Sequence, residues 1–552
     1  MRKKRLRLFL QIGLLLLGLS LTYACFQSNR AAEGDEANAS EENGFEVEPP
    51  NIDLSRPLQI SQRPEDLALA GRIDQMIEKS PLSNARWGVF VVSLKDGRVL
   101  VARDARRLFN PASIQKVLTS VVALDKLGPD FRWKTRIFSQ NQIGSDGTLS
   151  GDLTLFGGGA PDFGTEELND LVNQLQAKGL KRIKGNIVGD ESYFRGDDLG
   201  DGWTWNDIQW HYGAEAAALT FRENQASIFI NDEGTLTSTT DFLRVRNDLK
   251  PKNPDEKDSY GIKRGLADNE VYVWGNGAKA AGQLAVHNPA LWAAGSLKEA
   301  LEGKGIAVEG RTLSADWKAE NRLDPDAATE LASVESKTLA EIVRRMNKNS
   351  VNIYAELILR TLGKKFGDTA PDPNKAFQAV RGDDSAGAAV IKKFLTGAGV
   401  ATGEIEIRDG SGLSRLDFVT PEAFGRALIY AAQSKFANVF ENSLPVAGTD
   451  GTLGGRLGRV KGSILAKTGS ITYVSSLAGY ARSKDETLAF VVICNNATRR
   501  TETTRVIDEI AAGLITEPAE DSSEDGNSAK NSAPGAGEDS SQKKTHKEKK
   551  PE

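Results

Sequence analysis

Hydrophobic positions between about residues 65 and 515 follow two periods, separated by polar and glycine-rich stretches. Leu67 to Ile77 (LALAGRIDQMI) spaces its apolar residues three and four apart and predicts a helix. Trp87 to Leu94 (WGVFVVSL) and Arg98 to Ala102 (RVLVA) predict two strands joined by an Asp-Gly turn at Asp96. A helix starts near Ser113 and carries Val117, Leu118, Val121, Val122 and Leu124. From about 136 to 286 the texture changes: Gly and Asp are frequent, the strands (DLTLFGGG, GNIVGD) are short, and Glu166 to Lys178 predicts a helix. This region is expected to be inserted material. At His287 helical spacing returns in NPALWAAGSLKEALEGKGI, closed by Gly303 and Gly305, and the catalytic body is expected to resume there and run to 516. LAEIVRRMNKNS and IYAELILRTL are helical runs with a turn between them, and Thr420 to Ser434 predicts another helix. Tyr473 to Ala481 and Glu486 to Cys494 predict strands, and Thr504 to Leu514 a last amphipathic helix.

Both ends depart from these periods. Arg2, Lys3, Lys4, Arg5 and Arg7 precede an apolar run, Leu8 to Leu21, that is short for a membrane span and suited to a secretory signal over residues 1–25. An exported protein of the bacterial envelope or periplasm is the expectation. Thr22-Tyr23-Ala24-Cys25 resembles a lipoprotein processing site, so a membrane tether through Cys25 and simple cleavage both stay open. Residues 26–62 are acidic and poor in large apolar side chains, and those from 517 carry an acidic block and then a lysine-rich one, so a disordered tether and a disordered tail are expected. The other cysteine, Cys494, lies in an apolar run and is expected to be a buried free thiol. With a net charge of -5 and no basic stripe outside the termini, nucleic acid is not the expected partner.

The chain has three histidines, His211, His287 and His546, the last in the tail, so a histidine-based triad or metal site has little to draw on. A lysine serves as a base when desolvation lowers its pKa. Ser113 and Lys116 stand three apart on one helix face, followed by apolar residues able to shield the lysine. That spacing alone is also the ordinary start of a helix, and Ser540/Lys543 and Ser541/Lys544 satisfy it in the tail. Companions decide. Ser350-Val351-Asn352 lies in the turn between two helical runs, and Lys467-Thr468-Gly469-Ser470 lies in a strand, where Gly469 would let a ligand approach the backbone. Ser139-Gln140-Asn141 fits the middle pattern too, but at the edge of the insertion, and is set aside. Ser-x-x-Lys, Ser-x-Asn and Lys-Thr-Gly in that order are the set of penicillin-binding proteins and class A β-lactamases. They give Ser113 as nucleophile, Lys116 as base, Ser350 as proton relay, Asn352 as holder of the substrate amide, and Lys467, Thr468 and Ser470 as a carboxylate site. The N–H groups of Ser113 and Ser470 are the expected oxyanion donors. None of this chemistry calls for a metal or a cofactor.

The set resembles the low-molecular-mass class C penicillin-binding proteins, the D-alanyl-D-alanine carboxypeptidase/endopeptidase family, over roughly residues 65 to 515. Gly202-Trp-Thr-Trp-Asn-Asp207, Tyr212-Gly-Ala214, Asn288-Pro-Ala-Leu-Trp292, Asp409-Gly-Ser-Gly-Leu-Ser-Arg415 and Gly448-Thr-Asp-Gly-Thr-Leu453 carry the likeness, as does the long gap between Lys116 and Ser350. The resemblance implies an α/β (α+β) fold: a split serine β-lactamase/transpeptidase-like domain with two smaller domains inserted after the first catalytic helix. It implies action on peptidoglycan stem peptides and covalent inhibition by β-lactam antibiotics. It also implies an acidic residue of the insertion that contacts the amino group on the stem's third residue, for which Asp190 is the position carried over. The family's Gly-Asp-Pro reads Gly159-Ala160-Pro161 here, a departure confined to the insertion. A β-lactamase and a non-catalytic wall-binding lipoprotein on the same fold are the competing readings.

Overall fold

A computed structural model describes residues 51–515 other than 232–234, 251–254, 258, 277–279, 321 and 369–381. The expected signal segment, Cys25, most of the expected tether and the expected tail lie outside the described residues. Along the chain come helix α1 (Pro64–Glu78), strands β1 (Arg86–Ser93) and β2 (Val99–Arg103), and helix α2 (Gln115–Leu127), entered through a 3-10 turn at Ala112–Ile114. The insertion contributes β3 (Lys134–Ser139), β4 (Leu153–Gly157), α3 (Thr165–Ala177), β5 (Ile187–Asp190), α4 (Pro289–Gly303), β6 (Thr312–Ala315) and β7 (Thr329–Glu335). The chain then forms α5 (Leu339–Asn349), α6 (Asn352–Phe366), α7 (Asp383–Gly397), α8 (Pro421–Gln433), β8 (Ile464–Ile471), β9 (Val474–Arg482), β10 (Thr487–Asn495) and α9 (Arg500–Ala512).

The catalytic body is built on a five-stranded antiparallel sheet in the order β8-β9-β10-β1-β2. Its central strands are apolar at nearly every position because both faces are covered. In β1, Trp87, Val89 and Val91 join one core with Ile73 and Ile77 of α1 and Val506, Ile507 and Ile510 of α9. Phe90 and Val92, on the opposite face, join a second core with Val117 and Val121 of α2 and Phe424 and Leu428 of α8. Period-two alternation therefore sorts side chains between two cores rather than between core and water. Cys494 of β10 faces the first core as a free thiol, and burial pushes its pKa up to about 12.

The structure corrects three expectations. Residues 51–62 are ordered against the body: Ile52, Leu54 and Leu58 pack on the core, and Ser61 N and Val99 N exchange hydrogen bonds with Val99 O and Gln59 O. The segment covers the outer edge of β2, which explains why apolar residues recur in it. The insertion also runs past 286. Its main sheet has the order β6-β5-β4-β3-β7, so residues through Glu335 belong to it. β5 and β6 are parallel neighbours, and α4, read as the start of the returning body, packs against both in the connection between them. The chain leaves and re-enters at one place, where Ser336 N donates to Trp133 O and Leu339 N to Phe131 O. Finally, Tyr473, expected in a strand, sits in a two-residue turn before β9, and helix α7 has no counterpart among the expected elements.

Smaller sheets complete the insertion, including one of Gln225–Ile230, Leu236–Ser238 and Ala280–Ala285 and one of Arg244–Leu249, Tyr260–Arg264 and Glu270–Gly275. Because Phe490 is fully buried between β10 and the α1/α9 layer, Phe490→Ala is expected to cost about 3–5 kcal/mol, read as a lower urea midpoint. Phe229→Ala, at an exposed position of the insertion, should stay within about 0.5 kcal/mol of the parent protein.

Candidate active site

Ser113 sits in the 3-10 turn that opens α2, and the backbone there is strained: Ala112 has φ +50°. One helical turn on, Lys116 is completely buried. Its Nζ lies 3.1 Å from Ser113 Oγ and donates to Asn352 Oδ1 at 2.7 Å and to Ser411 O at 2.8 Å. A neutral amine has two hydrogens and one lone pair. Two carbonyl acceptors take the hydrogens, which leaves the lone pair for the Ser113 hydroxyl. Burial lowers the pKa of Lys116 to about 7, against the opposing charges of Asp409 and Glu356.

Ser350 caps the C-terminus of α5 in the left-handed region, at φ +59°, and Asn352 opens α6. The sharp break between the two helices projects both side chains into the cleft. Asn352 Nδ2 donates to Tyr212 O at 2.8 Å, which fixes its amide so that Oδ1 faces Lys116. Ser350 Oγ accepts from Lys467 Nζ at 2.9 Å, and that amine also donates to Thr468 O. Lys467 is completely buried, and burial, with the nearby Lys116 charge, holds its pKa well below the usual lysine range.

Lys467 to Ser470 lie on β8, an edge strand. The two-residue turn at Thr472–Tyr473 makes Ile471 and Val474 the closing pair, so ladder alternation turns the Ser470 N–H to the open edge beside Ser113. Gly469 has a different reason from the expected one. A Cβ there would stand 2.1 Å from Ser476 Oγ and 3.0 Å from Ile114 N and Pro111 O, so its bareness seats β8 against the Ser113 turn. Thr468 Oγ1 shares a hydrogen bond with Thr452 Oγ1 at 2.7 Å.

Five sequence-predicted residues, Ser113, Lys116, Ser350, Asn352 and Lys467, thus come together, with Thr468 and Ser470 on the adjoining edge. Asp190 does not join them. It is fully buried at the end of β5, where Oδ1 accepts from Ser192 N and Oδ2 from Leu323 N. Both oxygens are committed to backbone donors, so it holds a turn of the insertion and is closed to a ligand. Ser139 likewise serves the insertion, donating to Asp152 O. His287 pairs with Glu215 through Nδ1 at 2.6 Å, a contact within the insertion.

A supporting layer stands behind Lys116: the Asp409 to Arg415 motif, a tight Gly-rich turn, carries most of it, and Glu356 is the member that sequence reasoning missed. Asp409 is buried and accepts from Gly412 N, Ser414 N and Trp203 Nε1, which shapes the loop that presents Ser411 O to Lys116. Gly412, at φ +80° and pressed against Ala112 O, locks that loop onto the Ser113 turn. Buried Glu356 accepts from Gly410 N and Ser411 N; burial and the Asp409 charge push its carboxyl up to about 8. The cleft in front of Ser113, about 530 Å³, is also lined by Asp207, Tyr212, Arg415, Tyr473 and Arg500. The first three belong to the motifs Gly202–Asp207, Tyr212–Ala214 and Asp409–Arg415, but their facing one cleft is a tertiary fact.

A serine bonded to a desolvated lysine, a second serine bonded to a second buried lysine, and an open edge strand beside both define a serine acyl hydrolase of the penicillin-binding type. The chain belongs to the D-Ala-D-Ala carboxypeptidase 3 (S13) family, whose model matches residues 69–515, and it is a serine-type D-Ala-D-Ala carboxypeptidase. It is 29% identical over 451 residues to a D-alanyl-D-alanine carboxypeptidase of Actinomadura sp., covering 77% of this chain and 80% of that one. It is 28% identical over 440 residues to D-alanyl-D-alanine carboxypeptidase DacB of Haemophilus influenzae, covering 77% and 88%. Its fold matches the crystal structure of penicillin binding protein 4 from Haemophilus influenzae with a TM-score of 0.68 and 25% identity, over 80% of this chain and 99% of that one.

Because Lys116 accepts a proton only when neutral and its pKa is lowered to about 7, the second-order rate of acylation by a penicillin is expected to rise about tenfold per pH unit below that value and to level off above it. Stopped-flow labelling across pH 5–9, values set by the usual working range, checks this.

Proposed function

We propose that this protein hydrolyses the terminal D-alanyl-D-alanine bond of peptidoglycan stem peptides, and D-alanyl cross-links between stems, through an acyl-enzyme on Ser113. The observation that carries the reading is the Lys116 amine, buried, with both hydrogens committed and its lone pair toward Ser113 Oγ. Ser113 Oγ attacks the carbonyl carbon as its proton passes to Lys116 Nζ. The oxyanion is held by the N–H groups of Ser113 and Ser470. As the C–N bond breaks, Ser350, bonded to Lys467, relays to the leaving amine the proton that Lys116 took from Ser113, and the released D-alanine carboxylate lies toward Lys467 and Thr468. Water then hydrolyses the ester and restores Ser113. A β-lactam enters the same route but keeps its leaving group tethered, which makes it a slow-release covalent inhibitor.

The amino group on the stem's third residue falls to Asp207 instead of Asp190. Asp207 lines the cleft beside Tyr212, and its Oδ2 is positioned by Thr204 N and Oγ1. The basic and apolar N-terminal segment supports export to the envelope, with Cys25 as a candidate tether.

Ser113→Ala is expected to lose both release of D-alanine from a pentapeptide stem and the mass increment of a bound penicillin; retention of either activity would sink the proposal. Peptide mapping should place that increment on Ser113, and its persistence for many minutes separates this enzyme from a β-lactamase. Asp207→Asn should lower kcat/KM roughly tenfold for stems with a free amino group on the third residue, while stems acetylated there respond little.

A further inference from the structure

The cleft has a direction. Lys467 and Thr468 mark the end that takes the leaving residue, so the acyl portion runs the other way along β8, past Ser470, Ile471 and Thr472 to Tyr473. That far end has two walls. Arg415 stands on one and is engaged, donating to Thr472 O at 2.9 Å. Thr498 and Arg500 stand on the other, tied to the turn by the hydrogen bond from Ala497 N to Tyr473 O at 3.2 Å. Among the described residues the Arg500 side chain makes no ion pair, hydrogen bond or ring contact, whereas its neighbour Arg499 is bonded to Glu502. An unpaired guanidinium at the lip of a substrate cleft is a carboxylate site by geometry and charge.

Tyr473 adds a separate observation. It adopts φ +65° at the turn while its side chain stays 59% exposed. A bulky residue in the left-handed region is strained by about 1 kcal/mol or more where glycine would be free. The two-residue turn between β8 and β9 imposes that φ, and it leaves the ring exposed at the cleft mouth.

We propose that Arg500, with Tyr473 and Thr498, forms a subsite for a carboxylate carried by the acyl donor upstream of the scissile bond. From Ser470 the edge runs through Ile471 and round the Thr472–Tyr473 turn, a reach of at most about 10 Å for three residues, which places the carboxylate about two residues before the acylated one. This inference rests on the carboxypeptidase reading and adds a specificity to it: stems whose second residue carries a free carboxylate are preferred over stems in which that group is an amide.

Three substrates test it: a pentapeptide stem with a D-isoglutamyl second residue, the same stem with D-isoglutaminyl, and a short diacyl-D-Ala-D-Ala peptide that lacks the group. The wild-type ratio of kcat/KM for the first to the second is expected to be roughly fivefold, as for a partly exposed charged hydrogen bond, and to shrink with added salt. Arg500→Ala should bring the ratio to about one, and Arg500→Lys should keep part of it. A purely structural role for Arg500 would lower both values together and leave the ratio in place, which overturns the subsite. Equal wild-type rates on both stems overturn it as well, with the hydrolase reading intact. A wild type that hydrolyses none of the three, the short peptide included, overturns the hydrolase reading and the subsite with it.

Discussion

Two lysines buried side by side impose the constraint on which the rest of the catalytic body depends. Lys116 and Lys467 are both completely buried, and water is not there to stabilise an ammonium on either. Lowering Lys116 from 10.5 to about 7 corresponds to roughly 5 kcal/mol of differential stabilisation at about 1.4 kcal/mol per unit. Asp409 and Glu356 oppose that shift from behind, but burial outweighs them: Glu356, its carboxyl pushed up to about 8, is largely neutral near neutral pH, and Asp409 is held by Gly412, Ser414 and Trp203. Desolvation wins, and a residue that is an acid in water becomes a base in the cleft.

The same arrangement explains why the helices break where they do. The reversal at Ser350 and the 3-10 entry at Ser113 are both strained, with Ser350 and Ala112 in the left-handed region, and each puts a hydroxyl next to a lysine amine. Bare glycines on either side, Gly469 and Gly412, let the strand and the supporting loop close onto the Ser113 turn. Strain and close approach are concentrated around the atoms that react.

The insertion is built into this site. Tyr212 O orients the amide that holds Lys116, and Trp203 completes the Asp409 loop. Arg360 Nη2 of α6 donates to Asp197 O, which anchors the helix opened by Asn352 to the same region. Substrate selection and base positioning therefore share residues, and a long insertion between two catalytic motifs is tolerated because its ends meet at Phe131–Trp133 and Ser336–Leu339.

Residue types and spacing determined a good deal here. Scarce histidine, the two lysine motifs and Ser-x-Asn between them defined the chemistry, since a lysine base needs only a helical turn and apolar neighbours to be recognised. Near-continuous apolar strands defined the covered sheet, and an apolar context defined the buried Cys494. Other features were decided in three dimensions. Asp190 was a reasonable acidic candidate by position, yet it ends a buried strand with both oxygens on backbone donors, while Asp207 turns into the cleft; nothing local distinguishes the two. Helix α4 looked like the returning body because helical periodicity does not say which sheet a helix covers. Ser411 reaches Lys116 through its carbonyl, a group every residue has, so no sequence pattern marks it. Lines of residue types fix which chemistry is available, and long-range packing fixes which copies of those groups meet.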